Sequence, residues 1–460
     1  MASDSELSEF GSQEDDDVSE IKKTTLKLIT MKELLENFDT QKLRFRDSKE
    51  EILKYKIDLY TKKKNEANKL IGDRNALIDI WSKTLESRGF LTPDNSYQLL
   101  NERVPDWITY QSQMITYTAL IDSLKKQQKD FKNNWKSQFE ELKSSLKEFQ
   151  SNYLGREEVQ DKIAQVIYAF FENWAYVKSD YLNFLYLGDP GTGKTKLASY
   201  VAKVLSLSGI LAKDNVIVVG KEDFVGQYVG TTAPKTLGLL NNSLESVLFL
   251  DEAYNLTTRD NQGKFDSYSL EAITTIVGFL DKNRGLLSFH AAGYFKQMIE
   301  DFLGSNPGMS RRFPYRFTLT NFSPKELVDI FQKLLRDQYD TDPSIISDDG
   351  LNYLKTIITY GGKALFPFQA GSMENLASIV SRRIYSLGLK ESEALFGPCS
   401  MRDAYVEYVQ SFFIGQNPSI DIDDKIELSD KQCSVEFASF PQRFETEKEQ
   451  SPKKTRRGKK

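Results

Sequence analysis

The sequence has almost none of the residues that build disulfide frameworks or metal centres. Its 460 residues include two cysteines, Cys399 and Cys433, and one histidine, His290. Two distant thiols make neither a framework nor a metal site, so they read as free thiols in a reducing compartment. A lone histidine has no partner for a metal ion, and within the apolar stretch Leu286–Ala292 it reads as a strand residue. No apolar run approaches the ~20 residues of a membrane-crossing helix. The acidic start (Asp4, Glu6, Glu9, then Glu14 to Asp17) lacks the pattern of a secretory signal. These absences point to an intracellular, cytoplasmic protein. What is present is an ordinary globular balance, 40 % hydrophobic and 28 % charged residues, with 29 Phe and 22 Tyr to fill a core.

Five stretches differ in character. Residues 1–25 are acidic and serine-rich with little to bury, and read as a disordered tail. Residues 26–152 form a helical module. Leu34, Phe38, Ile52, Tyr55, Leu59, Leu70, Leu77 and Trp81 recur at helical spacing, and Gly89, Pro93, Asp94 and Asn95 break the pattern. A second helix then carries Tyr117, Ile121, Leu124, Phe131, Trp135, Leu142 and Phe149 on an approximate heptad seam. Two arrangements fit: a coiled coil with another chain, or a hairpin in which the two long helices pack on each other. Residues 153–322 alternate short apolar strands (Tyr181–Leu187, Asn215–Val219, Ser246–Leu250, Leu286–Ala292, Tyr315–Leu319) with helices, which predicts an α/β domain with a parallel sheet covered on both faces. Residues 323–416 turn helical throughout, and residues 417–460 form a polar tail ending in Lys453, Lys454, Arg456, Arg457, Lys459 and Lys460. That basic end reads as a solvated tail, with a nuclear signal or nucleic-acid contact as the lesser reading. The net charge of −5 argues weakly against nucleic acid as the main substrate, because phosphate binding depends on clustered Lys and Arg.

Two motifs carry chemistry. Gly188-Asp189-Pro190-Gly191-Thr192-Gly193-Lys194-Thr195 fits the P-loop pattern in full, after an apolar strand and before a helix. Its glycines let backbone N–H groups close around phosphate oxygens, and the helix N-terminus adds partial positive charge. Lys194 would reach the β- and γ-phosphates of ATP, and Thr195 would ligate Mg²⁺. In Val247-Leu248-Phe249-Leu250-Asp251-Glu252, four apolar residues predict a buried strand with two carboxylates at its C-terminal end, the edge where open α/β sheets bind ligands. Asp251 would hold Mg²⁺ through its water shell, and Glu252 would polarise the attacking water.

Those motifs, with Gly226-Gln227-Tyr228-Val229-Gly230-Thr231-Thr232 between them, resemble the AAA+ family, in particular the branch holding stage V sporulation protein K and the red-type Rubisco activase. Asp251-Glu252-Ala253-Tyr254, Ala292-Gly293-Tyr294 and Ser305-Asn306-Pro307-Gly308 strengthen the likeness, which covers about Leu154 to Gln416. The resemblance implies a ring, usually of six subunits, that hydrolyses ATP and remodels a protein, with residues 323–416 as a helical lid. It implies that Tyr228-Val229-Gly230 is a pore loop gripping polypeptide. It also implies an arginine acting on the ATP of the neighbouring subunit, and the position before Phe313 favours Arg312 over Arg311. The helical module lies outside the likeness and would select a client or adaptor. Two departures stand out. Tyr294 occupies a position that often carries Asn. In the lid, Gly371-Ser372-Met373-Glu374 stands where Gly-x-x-Arg is usual, so either Arg382 or Arg383 compensates or the lid does not sense the γ-phosphate directly. A protein in which nucleotide only controls assembly, with the helical module as the working part, is the alternative reading.

Overall fold

A P-loop needs a strand to aim it and a helix to receive it, and the central sheet supplies both. The computed structural model describes residues 28–87, 105–153, 156–257, 259, 265–389, 396–412 and 433. The expected tails at 1–25 and 417–460 (apart from Cys433), the breaks at Gly89, Pro93, Asp94 and Asn95, and the side chains of Leu77 and Trp81 lie outside the described residues.

Five strands, β1 (Phe184–Gly188), β2 (Val216–Val219), β3 (Val247–Leu250), β4 (Ser288–Gly293) and β5 (Tyr315–Leu319), form one sheet in the order β2-β3-β4-β1-β5. All neighbours are parallel. Parallel strands covered on both faces read as continuous apolar runs rather than alternating ones. Phe184 to Leu187 and Val247 to Leu250 are accordingly buried at every position. His290 lies in the middle of β4, fully buried, and its ring contacts the Tyr186 hydroxyl at 3.1 Å and the Ser288 hydroxyl at 2.8 Å. Burial holds its pKa down at about 3, so the imidazole is neutral.

Before the sheet, a short helix α1 (Met31–Glu36) begins with a capping box between Thr30 and Glu33. Two long helices follow, α2 (Lys42–Ser87) and α3 (Pro105–Asn152), the latter kinked at Asn134. They pack antiparallel: Lys143 pairs with Asp39 just before α2, the Phe45 ring meets Phe131 edge-on and Phe139 at a tilt, and Tyr60 meets Tyr117. Of the predicted seam, Tyr117, Ile121, Leu124, Phe131, Leu142 and Phe149 are buried within the chain itself and Trp135 is half-buried against the same core. Of the two arrangements left open by the heptad pattern, the structure has the hairpin.

The helices α4 (Glu157–Glu172), α5 (Lys194–Ser208), α6 (Thr232–Asn242), α7 (Ser267–Lys282) and α8 (Pro307–Arg312) alternate with the strands. Beyond β5 come four helices, α9 (Pro324–Tyr339), α10 (Asp348–Leu365), α11 (Ala370–Leu387) and α12 (Pro398–Phe412). Ser323 and Glu326 form a capping box at the start of α9, with Pro324 at its first position, which marks the switch from sheet to lid. The lid has an apolar core of its own, whereas the hairpin and the sheet share a single one.

The cysteines overturn an expectation. Cys399 and Cys433 are joined by a disulfide, with Cα atoms 5.4 Å apart although 34 residues separate them in sequence. Distance along the chain does not limit approach in space, and this spacing is within the normal range for a bridge. The argument for a reducing compartment from free thiols therefore falls. No helix among the described residues is long and apolar enough to cross a membrane.

Candidate nucleotide site

Because β3, β4 and β1 are neighbours, their C-terminal ends bring the P-loop, the acidic pair and Tyr294 to one edge of the sheet. There a cavity of about 530 Å³ opens between sheet and lid. Gly188, Pro190, Gly191, Gly193, Lys194 and Thr195 line one wall, and Asp251, Glu252, Gly293 and Tyr294 the next. Ile330, Leu334, Gln338, Ala370, Gly371 and Glu374 from the lid close it. The structure thus gathers the expected phosphate and metal residues around one space, except that Asp189 and Thr192 of the same loop do not line it.

The loop's shape depends on two glycines. Gly191 (φ +73°) and Gly193 (φ +88°) are left-handed, which strains any residue with a Cβ. At Gly191 an added Cβ would also lie 1.7 Å from the Phe368 carbonyl oxygen, because the lid backbone approaches there. Lys194 follows at the first turn of α5, and its Nζ donates to the carbonyls of Gly188 (3.1 Å) and Asp189 (2.9 Å). Burial lowers the Lys194 pKa, while Asp251, Asp189 and Glu252 act in the opposite sense.

Glu252 is itself left-handed (φ +46°), a conformation that costs energy outside glycine and often marks a working position. Asn255 donates to its carboxylate at 3.1 Å, and its own N–H donates to the Asp251 carboxylate at 3.0 Å. The two carboxylates are thus held by different donors, Asp251 by the Glu252 N–H and Glu252 by the Asn255 side chain. The Tyr254 ring lies tilted against that of Tyr294, 5.9 Å away, and burial, then Glu252, pushes the Tyr254 hydroxyl up to about 12. A Cβ at Gly293 would meet Met298 and Tyr254 below 3 Å, so glycine lets those two side chains pack against the end of β4.

The residues fit a Mg²⁺ nucleotide. Backbone donors and Lys194 face the space where phosphates would sit, and Thr195 and Asp251 offer the one or two hard oxygens that Mg²⁺ takes from a protein when phosphate and water fill the rest. No arginine lines the cavity among the described residues. Arg311 and Arg312 lie elsewhere, at the end of α8. Arg311 is exposed. Arg312 is buried, donates to the Gly308 carbonyl at 3.0 Å, and stands 3.5 Å from the Asp281 carboxylate. The lid offers no replacement cation from its later turns: Arg382 and Arg383 both pair with Glu407 on α12. Glu374 instead faces the cavity and accepts from Gln338 at 2.8 Å.

Two contacts escaped the sequence. Lys363, beside the kink at Gly362 in α10, forms an ion pair with Asp189 of the P-loop. Tyr153, at the end of α3, donates its hydroxyl to the Gly193 carbonyl at 2.9 Å. Neither is local in sequence, so no motif could signal them.

Outside the cavity, Tyr228, Val229 and Gly230 form a turn between β2 and α6, with Tyr228 72 % and Val229 86 % exposed. Gly226 must be glycine, since a Cβ would lie 2.1 Å from the Thr231 hydroxyl, and Gly230 is left-handed (φ +81°). Thr231 braces the turn by donating its hydroxyl to the Tyr228 carbonyl at 2.7 Å. The base is fixed and the tip side chains point outward.

Residues 184–307 match the model of the ATPase family associated with various cellular activities (AAA). The chain is 35 % identical over 202 residues to protein CbbX of Cereibacter sphaeroides, a match covering 43 % of this chain and 64 % of the relative. It is 38 % identical over 157 residues to the chloroplastic ribulose bisphosphate carboxylase/oxygenase activase of Cyanidioschyzon merolae, covering 34 % and 52 %. It is 32 % identical over 203 residues to stage V sporulation protein K of Bacillus subtilis, covering 43 % and 61 %. The matches thus span between half and two-thirds of these relatives' lengths. Residues 184–307 thus match an AAA ATPase domain, and the chain is similar to CbbX, CfxQ homologues, Rubisco activase and stage V sporulation protein K, relatives of one AAA+ branch.

Proposed function

We propose that this chain hydrolyses Mg²⁺-ATP and, as a ring of identical subunits, remodels a protein client gripped by the Tyr228-Val229-Gly230 turn. In this reading residues 26–152 select the client or adaptor, residues 153–322 hydrolyse nucleotide, and residues 323–416 form the lid. The observation that carries it is the exposed aromatic–aliphatic tip on a glycine-shaped loop, attached to the domain that holds the nucleotide cavity. Large apolar side chains held out in solvent gain nothing in an isolated subunit, and they suit intermittent contact with a polypeptide.

The roles at the cavity follow from charge and position. Lys194 would bind the β- and γ-phosphates, Thr195 and Asp251 would hold the metal, Asp251 through its water shell, and Glu252 would polarise the attacking water. No arginine lines the cavity among the described residues, and in this reading positive charge for the γ-phosphoryl group would come from Arg312 or Arg311 of a neighbouring subunit. Arg312 has first to leave Asp281, while Arg311 is already free to solvent; single Arg→Ala variants of each, mixed with Lys194→Ala protein, separate the two.

The reading is tested on purified protein by ATPase assay with and without an unfolded protein. Wild-type turnover should rise with the client. Glu252→Gln should bind ATP and not turn it over. Tyr228→Ala should keep its melting temperature and basal ATPase yet lose stimulation. Stimulation by DNA or RNA instead of protein, or full client stimulation in Tyr228→Ala, would overturn the remodelling role.

A further inference from the structure

We propose that Tyr153 is a positioning residue of the nucleotide site, and that through it the N-terminal hairpin is an input to nucleotide binding. The inference rests on the reading of the P-loop cavity as a nucleotide site. It starts from one hydrogen bond, the Tyr153 hydroxyl to the Gly193 carbonyl at 2.9 Å. The same carbonyl accepts the Leu197 N–H at 2.9 Å as the first bond of α5. In a trans peptide the C=O of one residue and the N–H of the next point in opposite directions. Holding the Gly193 oxygen toward Tyr153 and the helix therefore turns the Lys194 N–H the other way, out of the helix N-terminus, where anions bind. The Leu197 N–H is the other donor on this carbonyl, at the first turn that follows a left-handed glycine, so the Tyr153 hydroxyl adds a second restraint on the same peptide plane.

Tyr153 is in turn fixed by the hairpin. The Tyr153 N–H donates to the Phe149 carbonyl at 3.1 Å, and from α4 the Gln160 side-chain amide donates to the carbonyls of Tyr153 (2.9 Å), Gln150 (3.2 Å) and Phe149 (3.4 Å) at the end of α3. The rings of Phe149, Tyr153 and Tyr200 contact one another at 5.5–6.1 Å, joining α3 to the P-loop helix α5. Glu148 and Lys203 pair across the same two helices at 3.1 Å. Burial raises the pKa of the Tyr153 hydroxyl, which keeps it a proton donor at neutral pH. A partner that bends or rotates the hairpin thus acts on the P-loop peptide, and by linkage nucleotide acts equally on the hairpin.

The test uses the full chain with Mg²⁺-ADP as the probe. Tyr153→Phe keeps the ring contacts and removes only the hydroxyl. Its melting temperature without nucleotide should stay within a few degrees of wild type, while ADP affinity should fall about five- to tenfold, as expected for one lost hydrogen bond. In wild-type protein, ADP should also slow amide hydrogen exchange in the last turns of α3, residues 146–153. A Tyr153→Phe variant with unchanged ADP affinity would overturn the positioning role. If that variant does not fold, the exchange experiment decides: no slowing at 146–153 in wild-type protein that binds ADP would overturn the link. Wild-type protein that binds neither ADP nor ATP would instead bring down the nucleotide site itself, and this inference with it.

Discussion

The hairpin and the lid both reach the P-loop, but they are attached to the ATPase domain in different ways. The hairpin is fused to it. Lys56, 1 % exposed, forms a 2.5 Å ion pair with Glu245, 0 % exposed, in the segment leading to β3. Glu245 also accepts from the Tyr60 hydroxyl (2.8 Å) and the Ala212 N–H (3.1 Å), and Lys56 donates to the Ile210 carbonyl (2.7 Å). Elsewhere along the hairpin Phe45, Phe139 and Phe171 contact one another, within one apolar core shared by the two units. The lid carries a separate core and touches the P-loop through its surface: the Lys363–Asp189 pair, and the Ala370 N–H to the Gly191 carbonyl at 3.3 Å. A fused unit transmits motion and resists being removed. A docked unit with its own core can change its angle when ligand enters the cavity.

The comparison is broken most directly at the buried network. Glu245→Ala leaves Lys56 charged, buried and unpaired, which should cost roughly 3–5 kcal/mol. Thermal unfolding should show a large fall in melting temperature for hairpin and sheet together. A separate early transition of the hairpin alone would mean that the two units are not one cooperative body.

A smaller effect concerns pH and the sheet. The His290 pKa is near 3 in the fold, against about 6.5 when unfolded. Its folded value is depressed, so the unfolded chain binds the extra proton. The stability associated with neutral burial is complete above about pH 6.5 and declines as pH falls toward 3, by up to about 1.4 kcal/mol per unit. Urea titrations between pH 7 and 5 should follow this slope in wild type, and His290→Leu should flatten it. An unchanged slope in the variant would place the acid sensitivity elsewhere.

The smallest effect should be at the lid. Lys363 and Asp189 are both partly exposed, and such pairs are worth about 0–1 kcal/mol. Lys363→Ala should therefore leave the melting temperature within a degree or two. A fall as large as that of Glu245→Ala would show that the lid is fused to the sheet as firmly as the hairpin is.

Much of the site was legible because its parts are local. Gly188 to Thr195 is contiguous, the left-handed glycines are written in the motif, and the apolar run Val247 to Leu250 ends in its two carboxylates. The βαβ alternation then forces those ends to one edge of the sheet. The helical seam was also legible, but a heptad cannot say whether its partner is another chain or the helix before it. Arg382 and Arg383 were open candidates only while the position of Glu407 was unknown.

The sequence by itself determined the chemistry: a P-loop, an acidic strand end, an exposed Tyr-Val-Gly turn, and an all-helical segment after the sheet. These depend on backbone conformation and spacing over a few residues. Only the tertiary structure decided what joins what. It paired Lys56 with Glu245 across 189 residues, Tyr153 with Gly193 across 40, and Cys399 with Cys433 across 34. Such contacts are selected by burial and packing of the whole chain, where an unpaired buried charge or hydroxyl would be costly, and no local pattern records them.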